Sequence, residues 1–295
     1  CGVGDSGRST NQRLAQESYL TRKTQSMTNS FNFGQADVLF TDVDDTLTTD
    51  GQLLPETYLA LCRLAAAGIR VIPVTGGCAG WCDQIIRTWP VTAVIGEGGA
   101  FYAERTAPQT VRWHYWNDAA SHKRDQETIL TAVAALDLDF EPQLASDQAF
   151  RYVDVAVDYN QQQSLSSEQV AVLHNALVGR GFNVRQSSIH LNVWLGDFDK
   201  STMAVRVGQE VLGLDLQALQ QRAVFIGDAP NDESMFRCFP LSVGVANIRK
   251  HLPGMAHRPA AVVSQRSGLG FAEMAENWLR QRTESDLPQA ETHPV

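Results

Sequence analysis

The run Phe40-Thr41-Asp42-Val43-Asp44-Asp45-Thr46-Leu47 places carboxylates directly after an apolar stretch. Asp42 and Asp44 are two apart, so in extended chain both point to one side. Far along the sequence, Ile226-Gly227-Asp228-Ala229-Pro230-Asn231-Asp232 repeats the arrangement, with two more carboxylates after an apolar run. Between these segments lie Val74-Thr75-Gly76-Gly77, a hydroxyl beside bare backbone N–H groups, and Asp199-Lys200-Ser201 at a predicted helix start. A cation at a helix start opposes the helix dipole, so another partner should favour Lys200 there.

Each piece alone is ordinary. Aspartates after strands are often turn formers or helix caps. A lone Thr-Gly-Gly says little, and a lone lysine is usually on the surface. Together they are specific, because Asp42, Asp44, Asp228 and Asp232 would crowd four carboxylates at one sheet edge. Like charges that close do not all stay ionised without a cation. The donors are all oxygen, with no His or Cys nearby in sequence, which selects a hard ion. One or two carboxylates with waters and a phosphate suit Mg²⁺ better than Ca²⁺.

The elements that must position these groups alternate. Residues 38–40 read as a buried strand, Pro55 opens a helix that Gly68 closes, and residues 69–74 read as the next strand. Tyr58, Leu61, Cys62 and Ala65 share one face of that first helix, and Trp81, Ile85 and Trp89 mark the apolar face of a second. Residues 91–95 give a third strand, so this β-α-β-α-β succession predicts a parallel sheet. The pattern then changes. Residues 101–115 read as strand and turn, 126–135 and 167–177 as helices, and 151–159 and 183–195 alternate with period two. Ser188, His190, Asn192 and Trp194 share one strand face. Ile189, Leu191, Val193 and Leu195 share the other, which should pack inward; the polar face suits either the active site or solvent. After residue 193 the β/α alternation resumes. Met203, Val207 and Val211 fall on one helix face, followed by strands near 223–226, 241–245 and 261–264 and a final helix through Trp278.

The expected architecture is therefore α/β, a Rossmann-like doubly wound parallel sheet with an inserted α+β unit. Its expected divisions are a mobile leader at 1–34, a core at 35–102 and 194–282, the insertion at 103–193, and a mobile tail at 283–295. Cys1 stands first and Met27 is a candidate start. The 295 residues are 43% apolar and 19% charged, enough to fill a substantial core, and carry a formal net charge of −9. That balance excludes a general nucleic-acid binder, which needs a basic face. No apolar run is long enough to span a membrane. Five cysteines, sparse and odd in number, do not make a disulfide framework. They fit free thiols in a reducing cytoplasm, and Cys78 and Cys82 lack the further ligands a zinc site needs.

Asp42-x-Asp44-x-Thr46-Leu47, Thr75, Lys200 and Gly227-Asp228-x-x-Asn231-Asp232 resemble the four ordered motifs of the haloacid-dehalogenase superfamily. The insertion between the second and third motifs resembles its C2-type cap, subtype B, as in sucrose-phosphate and mannosyl-phosphoglycerate phosphatases. The resemblance spans about residues 36 to 280 and is stronger in the core motifs than in the cap. It implies an Mg²⁺-dependent phosphomonoesterase acting on a small phosphorylated metabolite, a sugar phosphate. Asp42 would be the nucleophile that forms an aspartyl-phosphate, and Asp44 the proton donor and acceptor. Thr75, Gly76 and Lys200 would hold the transferring oxygens. Asp42, the Asp44 carbonyl and Asp228 would hold the metal, with Asn231 and Asp232 orienting Lys200 or the groups around the ion. Glu97, His190 and Asn192 are candidate substrate contacts. The sequence departs from the family at Asp45, where many relatives have Gly, and at Gly77, where sugar-phosphatase relatives often have Arg. It departs again at Gly98, where the Glu-Asn-Gly-Ala turn has lost its Asn. Those positions bear on specificity.

Three other readings use parts of the same pattern. A phosphomutase would employ the same residues but yield isomerised substrate rather than free phosphate. A receiver-like, non-catalytic phosphoacceptor would not need Lys200, the full 227–232 motif or a cap-sized insertion. A dinucleotide fingerprint at residues 74–80 would follow the first strand, not the second, and lacks its final Gly.

Overall fold

The computed structural model describes residues 31–187 and 189–285; most of the stretch read as a leader, most of the predicted tail, and Ser188 lie outside them. Five strands form the central parallel sheet in the order β14-β13-β12-β1-β4. They are β1 (Val38–Thr41), β4 (Arg70–Pro73), β12 (Ala223–Gly227), β13 (Ser242–Gly244) and β14 (Ala261–Val262); β2 (Thr48–Thr49) and β3 (Gln52–Leu53) pair in a short separate hairpin after β1. The middle of β1 is fully buried, as a run without polar alternation requires. β5 (Ala93–Gly96) continues the sheet beyond β4 through the parallel bridge Val74–Ile95. The third strand read from the sequence is thus in place.

The sheet is covered on both faces. On one, Leu39, Val71 and Val224 pack with Leu61 and Leu64 of α1 (Pro55–Ala66), Ile85 of α2 (Ala79–Thr88) and Trp278 of the C-terminal helix. On the other, Val38, Phe40 and Phe225 pack with Met203 and Val207 of helix Lys200–Glu210 and with Met235. Neighbouring residues of β1 thus serve opposite layers, the period of two expected of a strand. Truncating a fully buried leucine such as Leu61 to alanine in such a core costs about 2–5 kcal/mol.

One helix face is rotated from expectation, and a second differs at one position. In α1 the buried stripe is Thr57, Ala60, Leu61 and Leu64, and Tyr58 is exposed. In α2 the expected Ile85 is buried, as is Trp89 just past the helix end, with Cys82 and Ile86 beside them; Trp81 departs, at 62% exposed. At Tyr58 and Trp81 the large side chains suggest the buried face, but their smaller neighbours Thr57 and Cys82 are the buried ones.

The insertion has its own core. An antiparallel sheet in the order β10-β11-β9-β8 is formed by β8 (Gln143–Leu144), β9 (Val155–Asp158), β10 (Asn183–Gln186) and β11 (His190–Trp194). Its apolar face meets α3 (Ala119–Ala134) and α4 (Ser167–Val178) through Ile129, Val157, Leu173, Leu191 and Val193. That places Leu191 and Val193 inward, as their alternation predicts. β6 (Phe101–Ala107) and β7 (Thr110–Tyr115), by contrast, pair with β5 at the edge of the main sheet. We therefore propose a domain division near residue 117 rather than at 102. At the chain ends, Phe33 lies in the span read as leader yet is buried, stacked on Trp278 at 4.9 Å between ring centroids. The last helix, Ser267–Ser285, runs into the span read as tail.

Candidate active site

β1 pairs with β4 on one side and β12 on the other, so the strand order reverses there. Such a switch point leaves a crevice at the carboxyl ends of the strands. Asp42 follows β1, Thr75 follows β4 and Asp228 follows β12, so the crevice gathers three of the four motifs. Lys200 arrives from the first turn of helix Lys200–Glu210, whose N-cap Asp199 accepts from Thr202 N in a capping box.

Lys200 explains its own position. Its Nζ donates to Asp42 Oδ1 at 2.6 Å and to Asp232 Oδ1 at 2.7 Å, with all three residues buried. Burial alone would lower the lysine pKa, but Asp232 and Asp42 outweigh it and hold it above its ordinary value. Asp232 Oδ2 also accepts from Asp228 N at 3.1 Å, so one carboxylate orients both neighbours. A side chain at Gly227 would run into that carboxylate, which accounts for the glycine.

Carboxylate oxygens of Asp42, Asp228 and Asp232 lie within 4.8 Å of one another. Burial raises Asp42 well above the usual carboxylate range, with Asp232, Asp228 and Asp44 adding to it against Lys200. Asp228 is pushed up to about 8 by burial, Asp232 and Asp45. One ammonium does not balance this set. Asn231 Oδ1, buried beside it in sequence, has no hydrogen-bond partner. An all-oxygen, over-acidic cluster with an unused acceptor fits a hard divalent cation. Among the described residues no His or Cys joins it.

Asp44 differs from Asp42. It is an exposed residue, and its carboxylate accepts from Thr75 Oγ1 at 3.4 Å. Desolvation by the surrounding protein raises its pKa, with Asp45 adding to it and Lys200 and the Thr75 hydroxyl opposing it.

Other candidates lie elsewhere. Glu97, expected to touch substrate, is buried and its oxygens are filled by four backbone N–H groups at 2.7–3.0 Å, from Ala79, Tyr152, Val153 and Asp154. His190 is buried and meets Gln161 at 3.0 Å within the cap. Asn192 reaches the core: its Nδ2 is 3.4 Å from the Gly76 carbonyl. On the polar face of β11, His190 and Asn192 are thus buried rather than turned to solvent, and Asn192 meets the loop after β4.

Two further contributors escape sequence reading. Asn247 Nδ2 donates to Asp228 Oδ2 at 2.9 Å and to the Asp45 carbonyl at 3.1 Å, while its Oδ1 accepts from Ser267 N. With Thr46, whose hydroxyl is 3.3 Å from Asp228 Oδ1, it fixes that carboxylate. Arg151 enters from the cap and donates to the Gly76 carbonyl at 3.0 Å. Nothing in its local sequence sets it apart from a surface arginine.

No protein-family model and no curated protein matches the sequence. Solved structures do. One is a haloacid dehalogenase-like hydrolase from Bacteroides thetaiotaomicron, at 16% identity over 82% of this chain and 99% of that one, with a TM-score of 0.58. Another is the sucrose-phosphatase of Synechocystis, solved with sucrose and phosphate, at 16% identity over 84% and 98%, with a TM-score of 0.59. A Thermoplasma acidophilum protein aligns at 16% identity over 83% and 99%, with a TM-score of 0.64. With its switch-point crevice and its separate antiparallel cap sheet, the chain has the fold of the haloacid-dehalogenase-like hydrolases.

Proposed function

We propose that the protein is a phosphomonoesterase that transfers the phosphoryl group of a small metabolite to Asp42 and then to water. The observation that carries this reading is the buried Lys200 ammonium shared by Asp42 and Asp232, with Asp228 beside them and the exposed Asp44 joined to Thr75.

Asp42 Oδ attacks phosphorus while the bond from phosphorus to the leaving oxygen breaks. Asp44 gives that oxygen its proton. The aspartyl-phosphate is then attacked by water, whose proton returns to Asp44, and the bond between phosphorus and Asp42 breaks to release phosphate. Asp44 thus ends as it began, and proton help of this kind is worth roughly 10²–10⁴-fold. Lys200 and Thr75, with the Gly76 backbone, hold the transferring oxygens, and Asp232 keeps Lys200 aimed. Asp42, Asp228 and the Asp44 carbonyl would hold Mg²⁺, with Asn231 near it. Bound there, the ion offsets negative charge on the phosphoryl oxygens.

A sugar phosphate is the substrate class we favour. The Synechocystis neighbour is a sucrose-phosphatase bound to sucrose and phosphate, and the cap here turns polar side chains to the loop after β4. The described cysteines are free, in keeping with a reducing cytoplasm. No described helix is long and apolar enough to cross a membrane. Phosphate release from phosphorylated sugars, nucleotides and sugar acids with Mg²⁺ tests the reading. Turnover should favour a sugar phosphate and vanish in Asp42→Asn. Near wild-type turnover by that variant would exclude the mechanism, and isomerised substrate without free phosphate would favour a mutase.

A further inference from the structure

The seam between cap and core is built around one loop. Glu97, held at a positive φ of 44°, collects one N–H from the start of α2 and three consecutive N–H groups from cap residues 152–154. A non-glycine residue in that conformation is strained by about 1–2 kcal/mol and persists where its surroundings over-determine it. The adjacent Arg151 is locked by Asp147 through Nε and Nη2 at 3.1 and 3.0 Å. Its Nη1 lies 2.9 and 3.1 Å from the two oxygens of Asp154. Asn192 Nδ2 donates to Asp154 Oδ2 at 2.8 Å. From this fixed platform both Arg151 and Asn192 reach the same acceptor, the Gly76 carbonyl, at 3.0 and 3.4 Å.

The Gly76 carbonyl and the Gly77 N–H belong to one rigid peptide plane and point opposite ways. Fixing the carbonyl therefore fixes the N–H, which donates to Thr75 Oγ1 at 2.8 Å. A hydroxyl has one proton; with a lone pair engaged by that N–H, Thr75 directs its proton outward into the crevice, where Asp44 Oδ2 lies 3.4 Å away in the free protein and an arriving phosphoryl oxygen takes it up. Hydrogen bonds in series polarise one another.

We propose that Arg151 and Asn192 are positioning residues for proton transfer: by holding the Gly76 peptide from the cap, they orient Thr75 and, through it, Asp44. The docked cap thus arms the leaving-group step from a distance, without contact with the reacting atoms. The proposal rests on the phosphatase reading above, in which Asp44 protonates the leaving oxygen.

The experiment compares phenyl phosphate, a poor leaving group, with p-nitrophenyl phosphate, a good one, in the full-length protein with Mg²⁺. Asn192→Ala and Arg151→Met should each lower kcat on phenyl phosphate about tenfold more than on p-nitrophenyl phosphate, part of the whole general-acid effect. Mg²⁺ affinity, measured by calorimetry, should stay at the wild-type value. Asn192→Ala removes no charge, so it carries the test if Arg151→Met fails to fold. Equal losses on both esters, or none, would overturn the proposal while leaving the phosphatase reading intact. Wild-type protein without Asp42-dependent phosphate release would overturn both.

Discussion

Lys200 in the core and Arg151 under the cap are built alike, each a buried cation between two carboxylates. Lys200 bridges Asp42 and Asp232; Arg151 bridges Asp147 and Asp154. They differ in what surrounds them. Around Arg151 the fork geometry pairs Nε and both terminal nitrogens, and Asp154 takes a further donor from Asn192. Around Lys200 a third buried carboxylate, Asp228, crowds in, and Asn231 Oδ1 has no partner. A closed set of donors and acceptors holds shape. Glu97 is a third buried carboxylate near Arg151, but four backbone N–H groups fill it. The Lys200 set has no such filling of its third carboxylate and keeps an unused acceptor, an arrangement open to something that arrives: a dication and a phosphoryl group. This is the contrast expected between structural and reactive polar clusters.

The sharpest way to break the comparison is to remove chemistry from one cluster without changing its shape. Asp42→Asn should lower kcat on the order of 10⁴-fold or more, as loss of a nucleophile does in enzymes whose residues act as a unit. Next come the cations. Lys200→Met and Arg151→Met each leave buried carboxylates without their partner, a change that costs about 3–5 kcal/mol. Thermal melts with added Mg²⁺ should separate them: the dication restores part of the loss in Lys200→Met and none in Arg151→Met. Equal recovery in both would erase the distinction drawn here.

A smaller effect sharpens the picture of the core cluster. Asn247→Ala frees Asp228 from one of its two side-chain anchors and should weaken Mg²⁺ binding by about 10–100-fold, the range seen when groups behind a metal ligand are lost. Titration calorimetry reads it directly. The smallest concerns Asp37, which ties Arg70 and Arg222 at the opposite end of the sheet. Burial raises its pKa, but the hydrogen bonds and charges of Arg222 and Arg70 outweigh it and hold the group below 3.8. Its stabilisation is complete above that value and is lost as pH falls through the lowered one. Asp37→Asn should therefore lower stability at neutral pH by less than about 1 kcal/mol, as partly exposed pairs do, with the gap closing in acid.

Much of the core cluster was legible because its members belong to short contiguous patterns. Asp42, Asp44 and Thr46 follow one buried strand, Asp228 and Asp232 another, and a lysine at a helix start asks for an explanation that the pair of carboxylates supplies. The cap cluster was not legible. Arg151 meets Gly76 across 75 positions, and Asn192 meets it across 116, so no local spacing announces either contact. Glu97 stands out in the sequence by its turn, yet its four partners are backbone groups, which sequence does not distinguish. The ribbon Phe101–Tyr115 shows why the domain edge is hard to read. Its alternation fits a strand in either sheet, and only its pairing with β5 decides. Trp81 misled for a related reason: a large aromatic suggests a core face, but shape at the helix–sheet contact favoured Cys82 and Ile86.

The central claim is that Asp42 carries the phosphoryl group. Rapid acid quench during turnover of a phosphomonoester with Mg²⁺, followed by peptide mass spectrometry, measures this directly. The account predicts one hydroxylamine-labile phosphoryl group on the peptide containing Asp42, absent from Asp42→Asn. Steady phosphate release with no such adduct, or the adduct on another residue, would contradict it.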